Sequence, residues 1–187
     1  MFEINKLLLS NRTKLIAQTY KNWITRGSKV LDVGCGDGFV TSQLAKEFQL
    51  KITGADIDNY LSYKIPFVLM KKPDILPFPD KSFDSVLFND VLHHTDFKIQ
   101  ERLLLESIRL ARKNVLIAEL EPTLAAYLGD YILNKIYHPA MIVPFKYRKL
   151  EKWLKLFNRL PVRVERKNVH RPFFSPFSRL AFCLKIK

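Results

Sequence analysis

The sequence predicts an α/β fold, a doubly wound sheet with helices on both faces and an antiparallel pair at its C-terminal edge. Three observations predict it. Short apolar runs alternate with stretches of helical period, as in successive strand–helix units. A cluster of glycines stands directly between the first strand and the helix after it. The chain then closes on two strand-like segments joined by a proline-containing loop. At 187 residues it reads as one domain spanning 1–187.

Residues 5–26 follow a helical period through Leu7, Leu8, Leu15, Ile16, Tyr20 and Trp23, with a break at Ser10-Asn11. The stretch 1–28 therefore reads as one or two lead-in helices. Lys29–Val33 is a short apolar strand, and Phe39–Phe48 the helix that follows it. Lys51–Ala55, Phe67–Met70 and Ser85–Phe88 are the next strands, Ile99–Arg112 a helix, and Val115–Leu120 a fifth strand. These strands are apolar runs, as expected of a sheet covered on both faces. Pro122 then opens a helix at its first turn. Leu124, Tyr127, Leu128, Tyr131 and Ile132 share one face of it, and this stripe is expected to pack into the core. His138–Phe145 reads as a loop and Tyr147–Leu160 as a basic amphipathic helix. Val162–Val169 and Leu180–Ile186 form the closing pair, joined by the loop with Pro172 and Pro176.

Hydrophobic residues make up 48% of the chain and charged ones 26%, the proportions of a folded globular protein. No apolar stretch approaches the roughly 20 residues that cross a bilayer. Leu7-Leu8-Leu9 is too short for the apolar part of a signal peptide. A cytoplasmic location is expected. Cys35 and Cys183 have no metal-ligand spacing and are expected to be reduced thiols, so no metal site is expected. Net charge is +13 and uneven. Residues 1–118 hold 17 basic and 13 acidic side chains, whereas residues 119–187 hold 14 and 5. A basic C-terminal third suits nucleic acid, an anionic lipid surface or an acidic substrate, and equally a solvated lysine-rich face.

The strongest motif is Val30-Leu31-Asp32-Val33-Gly34-Cys35-Gly36-Asp37-Gly38. Glycines between a strand and a helix let the backbone turn sharply and lie against a nucleotide. The dinucleotide fingerprint GxGxxG holds a pyrophosphate at the helix N-terminus. Here the spacing is GxGxG, with Asp32 before the turn and Asp37 within it. Carboxylates there repel a diphosphate and attract a cation. S-adenosylmethionine (SAM) carries an amino group and a sulfonium but no phosphate, so the local charge favours it over NAD. Asp56 follows 22 positions after Gly34, where an acidic residue accepts hydrogen bonds from ribose hydroxyls, and Ile57 is placed against the adenine.

With these residues the sequence resembles the class I SAM-dependent methyltransferases, in the small-molecule subgroup known as type 11. Three blocks carry the resemblance: Val30–Gly38; Gly54-Ala55-Asp56-Ile57; and Leu76-Pro77-Phe78-Pro79-Asp80-Lys81-Ser82-Phe83-Asp84 leading to Asp90-Val91-Leu92-His93-His94-Thr95. The resemblance implies a Rossmann-like, seven-stranded sheet and SAM as cofactor. It implies that Asp32, Gly34 and Gly36, with Cys35 between the glycines, frame the methionine part, and that Asp56 holds the ribose. The family's adenine-binding Asp is replaced by Lys72, and Asp74 stands two residues later as a substitute. Asn89 falls at the mouth where methyl donor and acceptor meet. His93 and His94 are the candidate general bases, since an imidazole suits proton removal near neutral pH. Alignment of nucleophile and sulfonium alone also supports such chemistry.

The expected acceptor is a small molecule, amphiphilic or anionic. Asn89-Asp90-Val91-Leu92 lacks the Pro-Pro-aromatic signature of enzymes that methylate nucleobase amines, which argues against methylation of exocyclic amines in DNA or RNA. Residues 122–147 lie where the family inserts a substrate lid, with Tyr127, Tyr131, His138 and Tyr147 as candidate contacts. The basic helix with Trp153 and Phe157 is a candidate for peripheral contact with an anionic membrane. The competing readings are a non-catalytic SAM-binding scaffold, an NAD-dependent oxidoreductase and an RNA methyltransferase.

Overall fold

The computed structural model describes residues 2–137, 145–169 and 177–187. Helix α1 spans Phe2–Tyr20 and is followed by β1 (Lys29–Val33), α2 (Phe39–Phe48), β2 (Lys51–Asp56) and β3 (Phe67–Leu69). Next come β4 (Phe83–Asn89), a short 3-10 turn at Leu92–His94, α3 (Phe97–Leu110) and β5 (Ala111–Leu120). Helices α4 (Leu124–Tyr137) and α5 (Leu150–Phe157) lead to β6 (Val162–Asn168) and β7 (Arg179–Ile186).

The seven strands pair in the order β3-β2-β1-β4-β5-β7-β6. The β1–β2, β1–β4, β2–β3 and β4–β5 ladders are parallel. Strand β7 runs antiparallel between β5 and β6. The expected closing pair is therefore present, and its second strand is the one that joins the main sheet. A dinucleotide-binding sheet has the order 3-2-1-4-5-6; the inserted antiparallel β7 sets this sheet apart from it.

Strand alternation divides the core in two. Val86 and Phe88 of β4, Val115 and Ile117 of β5, and Phe182 and Leu184 of β7 face α3 and α5, where Leu104, Ile108, Trp153 and Phe157 cover them. Leu87, Leu116, Ala118, Ala181 and Cys183 face α1 and α2, against Ile16, Tyr20, Phe39 and Leu44. Both faces are dry, which is why these strands read as unbroken apolar runs.

Several boundaries differ from the sequence expectation, each for a local reason. Helix α1 runs through Ser10-Asn11 without the expected break. Strand β5 begins at Ala111, four residues early, because the exposed Arg112 and Lys113 hide its start from an apolar pattern. Helix α5 starts at Leu150 and not at Tyr147. Tyr147 turns to Asp130, and buried Arg148 turns to Gln100 and Glu101. At α4, Thr123 caps the helix by accepting the Ala126 N–H, so Pro122 stands before the cap.

The aromatic stripe of α4 does not pack into the core as expected. Leu124 is 75% exposed, and Tyr127, Leu128, Tyr131 and Ile132 are all at least 40% exposed. Among the residues of this helix whose burial is described, Ala126 is the buried one, packed near Leu120 and Tyr147. The cause is position: α4 follows the end of β5 and packs through Ala126 on a small cluster of Leu120, Phe145, Tyr147 and Phe177, apart from the two main cores. The expected loops at 138–144 and around Pro172 and Pro176 lie outside the described residues.

Candidate cofactor and active site

The carboxyl ends of β1, β2 and β4 converge on the glycine turn. Gly34, Gly36 and Gly38 all adopt positive φ, at 71°, 53° and 80°. Gly34 is needed for close packing, since a Cβ there would lie 2.1 Å from Val91 Cγ2. Gly36 is different: a Cβ there would meet nothing within 4 Å, so the turn shows bare backbone to open space. Asp56 ties this backbone to β2. Its Oδ2 accepts the Gly36 N–H at 2.9 Å and its Oδ1 accepts the Ile57 N–H at 2.8 Å. Burial lifts its carboxyl above the ordinary range against the pull of these two donors. Each oxygen keeps a further lone pair for a ribose hydroxyl. Beside it, Ile57 and Leu69, at the ends of neighbouring β2 and β3, are 54% and 53% exposed and offer an apolar face for a base.

Asp37 answers the question of phosphate. Its Oδ1 accepts the Phe39 N–H at 2.9 Å, placing a carboxylate on the N-terminus of α2, the site a pyrophosphate would use. The cradle, the ribose acceptor and the acidic surroundings fit SAM, and Asp56, Ile57 and the Gly36 backbone are the groups that would hold it.

Four predicted cofactor residues play supporting parts. Asp32 is 2% exposed, with Oδ2 accepting from Thr41 Oγ1 at 2.6 Å and Oδ1 from Asn89 Nδ2 at 3.0 Å. Asn89 Oδ1 in turn accepts from Tyr20 Oη at 2.9 Å. Asp32 and Asn89 therefore lock β1, β4, α1 and α2 together beneath the turn, and their side chains do not reach into the crevice as expected. Cys35 is buried, with its thiol against Gly54, so only its backbone belongs to the turn. Asp74 does not stand open for the adenine either; its Oδ2 accepts from Arg102 Nη1 of α3 at 2.6 Å. Lys72 is exposed and bridges to Ile75.

Burial raises the Asp32 pKa from 3.8 to about 6, against the hydrogen bonds from Thr41 and Asn89. An acid whose folded pKa is raised supports folding below its unfolded pKa and loses that support as pH rises through the folded value. Stability is thus expected to decline across the window from 3.8 to about 6 through this group. Urea midpoints measured from pH 4 to pH 7 check this: Asp32→Asn should flatten the decline, and equal slopes in both proteins would remove Asp32 as its source.

On the far side of the crevice, sequence reasoning missed most of a buried charge network. Asp90 sits at φ 55°, a strained conformation for a non-glycine residue. Burial alone would raise its pKa, but Arg179 and Arg12 hold it below the ordinary range. Glu119, 1% exposed, accepts the N–H groups of Val91 and Leu92 on Oε1 and His93 Nδ1 on Oε2. His93 Nε2 meets Asp130 Oδ2 of α4 at 3.0 Å, and its ring stacks on Tyr147 at 4.5 Å. Burial opposes a charge on His93, yet Glu119 and Asp130 push its pKa up to about 10. Both ring nitrogens are engaged by carboxylates, a geometry that favours a structural part over the general-base role expected of it. His94 is 24% exposed, with Nε2 3.5 Å from Asp130 Oδ2. One sequence signal for this network existed: Glu119 is a lone acid inside the apolar run Val115–Leu120, and a buried charge requires partners.

This sheet order, with a bare glycine turn facing an acidic strand end, is that of a Rossmann-like domain. Comparison with known proteins agrees. Residues 31–118 match a family model described as a methyltransferase domain, type 11. The mitochondrial arginine-hydroxylase NDUFAF5 of Rattus norvegicus is 36% identical over 69 residues, covering 34% of this chain and 20% of that protein. Sterol 24-C-methyltransferase ERG6B of Gibberella zeae is 39% identical over 79 residues, with the same two coverages. Magnesium protoporphyrin IX methyltransferase from Synechocystis PCC 6803, solved with S-adenosylhomocysteine (SAH), superposes with a TM-score of 0.67 at 16% identity. That superposition covers 96% of this chain and 83% of the other. Across residues 31–118 the chain is thus similar to type 11 methyltransferase domains, and along most of its length it shares the fold of solved methyltransferases. It spans about a fifth of the length of the two curated relatives.

Proposed function

We propose that this chain transfers the methyl group of SAM to an oxygen, nitrogen or carbon atom of a small amphiphilic acceptor in the cytoplasm. The observation that carries the first half is the open cradle at Gly36, fastened to Asp56 and closed to phosphate by Asp37. SAM supplies an electrophilic methyl group on a sulfonium. The chain's own part is to hold the nucleoside through Asp56 and Ile57 and to shape the acceptor space beyond the Leu92–His94 turn. His94, partly exposed there, is the candidate to take a proton from an acceptor hydroxyl or amine. The amphiphilic acceptor is supported by the exposed apolar face of α4, with Leu124, Leu128, Tyr131 and Ile132, and by the exposed Lys149, Lys152 and Lys155 at and within α5.

Calorimetric titration with SAH tests the cofactor half. The wild-type chain should bind, and Asp56→Ala should weaken binding by about 1–3 kcal/mol, the range for hydrogen bonds to a charged group. An unchanged affinity in the variant would take Asp56 out of the site, and no binding to the wild type would end the proposal.

A further inference from the structure

His93, His94 and Asp130 converge where the 3-10 turn meets α4. Their ligand atoms all lie within 4.8 Å of one another. We propose that these three side chains bind a divalent transition-metal ion, of the zinc or ferrous type, next to the acceptor space. The proposal goes beyond the methyl-transfer reading and changes one part of it: with the ion bound, His94 Nε2 is a ligand and no longer the candidate base, and cofactor binding is untouched.

The spacing suits an ion. His93 Nε2 and His94 Nε2 lie 3.0 and 3.5 Å from the same Asp130 Oδ2. Zinc bonds to nitrogen and oxygen of about 2.0–2.2 Å in a tetrahedron set ligand atoms roughly 3.3–3.6 Å apart. A shift of a few tenths of an ångström would admit the ion. Two imidazoles and one carboxylate favour zinc, iron or cobalt over magnesium or calcium, which prefer all-oxygen sites.

The outer partners are also those of a metal site. Glu119 accepts from Nδ1 of His93, which aims Nε2 at the ion position, the carboxylate–histidine arrangement that orients metal ligands. Tyr147 Oη donates to Asp130 Oδ2 at 2.6 Å and fixes that carboxylate. An ion entering here takes the lone pair of His93 Nε2, and the proton held there leaves to solvent.

An ion-pair network of His93, Glu119 and Asp130 accounts for His93 without a metal. It holds His94 less well. The Nε2 atom of His94 is enclosed and reaches Asp130 Oδ2 only as a long ion pair at 3.5 Å, without a hydrogen bond of good geometry. A buried polar atom left in this state is costly, and a metal ion would satisfy it. Among the described residues three side chains would ligate the ion, the number that catalytic rather than structural sites supply.

The test uses the full chain, stripped with a chelator and titrated with Co2+ as a spectroscopic probe, then with Zn2+ in competition. The expected result is one equivalent of Co2+ bound with visible ligand-field bands, displaced by Zn2+. His94→Gln, at a partly exposed position, should weaken Co2+ binding at least tenfold while circular dichroism and the unfolding midpoint stay close to wild type. Asp130→Asn serves as a second variant, with the same loss expected. No Co2+ bands in the folded wild-type chain, or equal binding by wild type and a folded His94→Gln, would overturn the proposal. SAH titration of the stripped protein keeps the two readings apart: SAH binding without Co2+ binding defeats only the metal site.

Discussion

Replacing His93 with alanine is expected to lower the unfolding free energy by about 3–5 kcal/mol, the cost of breaking a buried ion pair from one side. Glu119 is 1% exposed and Asp130 12%, and the imidazolium between them is the cation that both share. Removal leaves Glu119 charged in an apolar strand, and it leaves a cavity under the Tyr147 ring. The loss should spread beyond one contact, because the network joins four segments: β5 through Glu119, the 3-10 turn through His93, α4 through Asp130, and the approach to α5 through Tyr147. Urea denaturation followed by far-UV circular dichroism measures it. A second variant, Glu119→Gln with His93→Gln, replaces the charges by amides and should recover part of the stability. A His93→Ala protein within 1 kcal/mol of wild type would show that the network is not a support of the fold.

The second large effect is expected at the glycine turn, where two neighbouring glycines should fail in different ways. Gly34→Ala puts a side chain at φ 71°, which costs about 1–2 kcal/mol. Its Cβ also falls 2.1 Å from Val91 Cγ2 and 2.8 Å from Val91 Cβ, and overpacking of this kind costs about 1–3 kcal/mol more. Val91 cannot easily move away, since its N–H is held by Glu119. Gly36→Ala has the same backbone strain but no neighbour within 4 Å. It should stay folded and lose SAH affinity, because the added methyl enters the space offered to the cofactor. Thermal unfolding and SAH titration of both proteins separate the two roles. Equal stability loss with equal SAH binding in the pair would mean that Gly36 does not face the cofactor.

The position of Asp56 beside the turn was legible in the sequence because it depends on local geometry. A strand, a glycine turn and a helix put Gly36 at the crevice whatever surrounds them, and the next strand of a parallel unit brings its last residue alongside. Asp32 was found by the same reasoning, but its role was not. Whether a carboxylate at the end of a strand faces ligand or core depends on which neighbours reach it; Thr41 and Asn89 reach Asp32 from two other elements, and Tyr20 holds Asn89 from a third. Asp74 likewise looked free until α3 brought Arg102 to it.

The sequence by itself determined the strand–helix alternation, the closing antiparallel pair and the glycine cradle, because each follows from residues within a few positions of one another. The tertiary structure decided the pairing of His93 with Asp130, 37 positions apart, and the exposure of α4. Neither has a periodic signature. An amphipathic stripe looks the same whether it meets a sheet or solvent, and a buried charge is settled only by the partner that the fold brings within 3 Å. The chemistry of the far side of the crevice therefore rests on where α4 comes to lie.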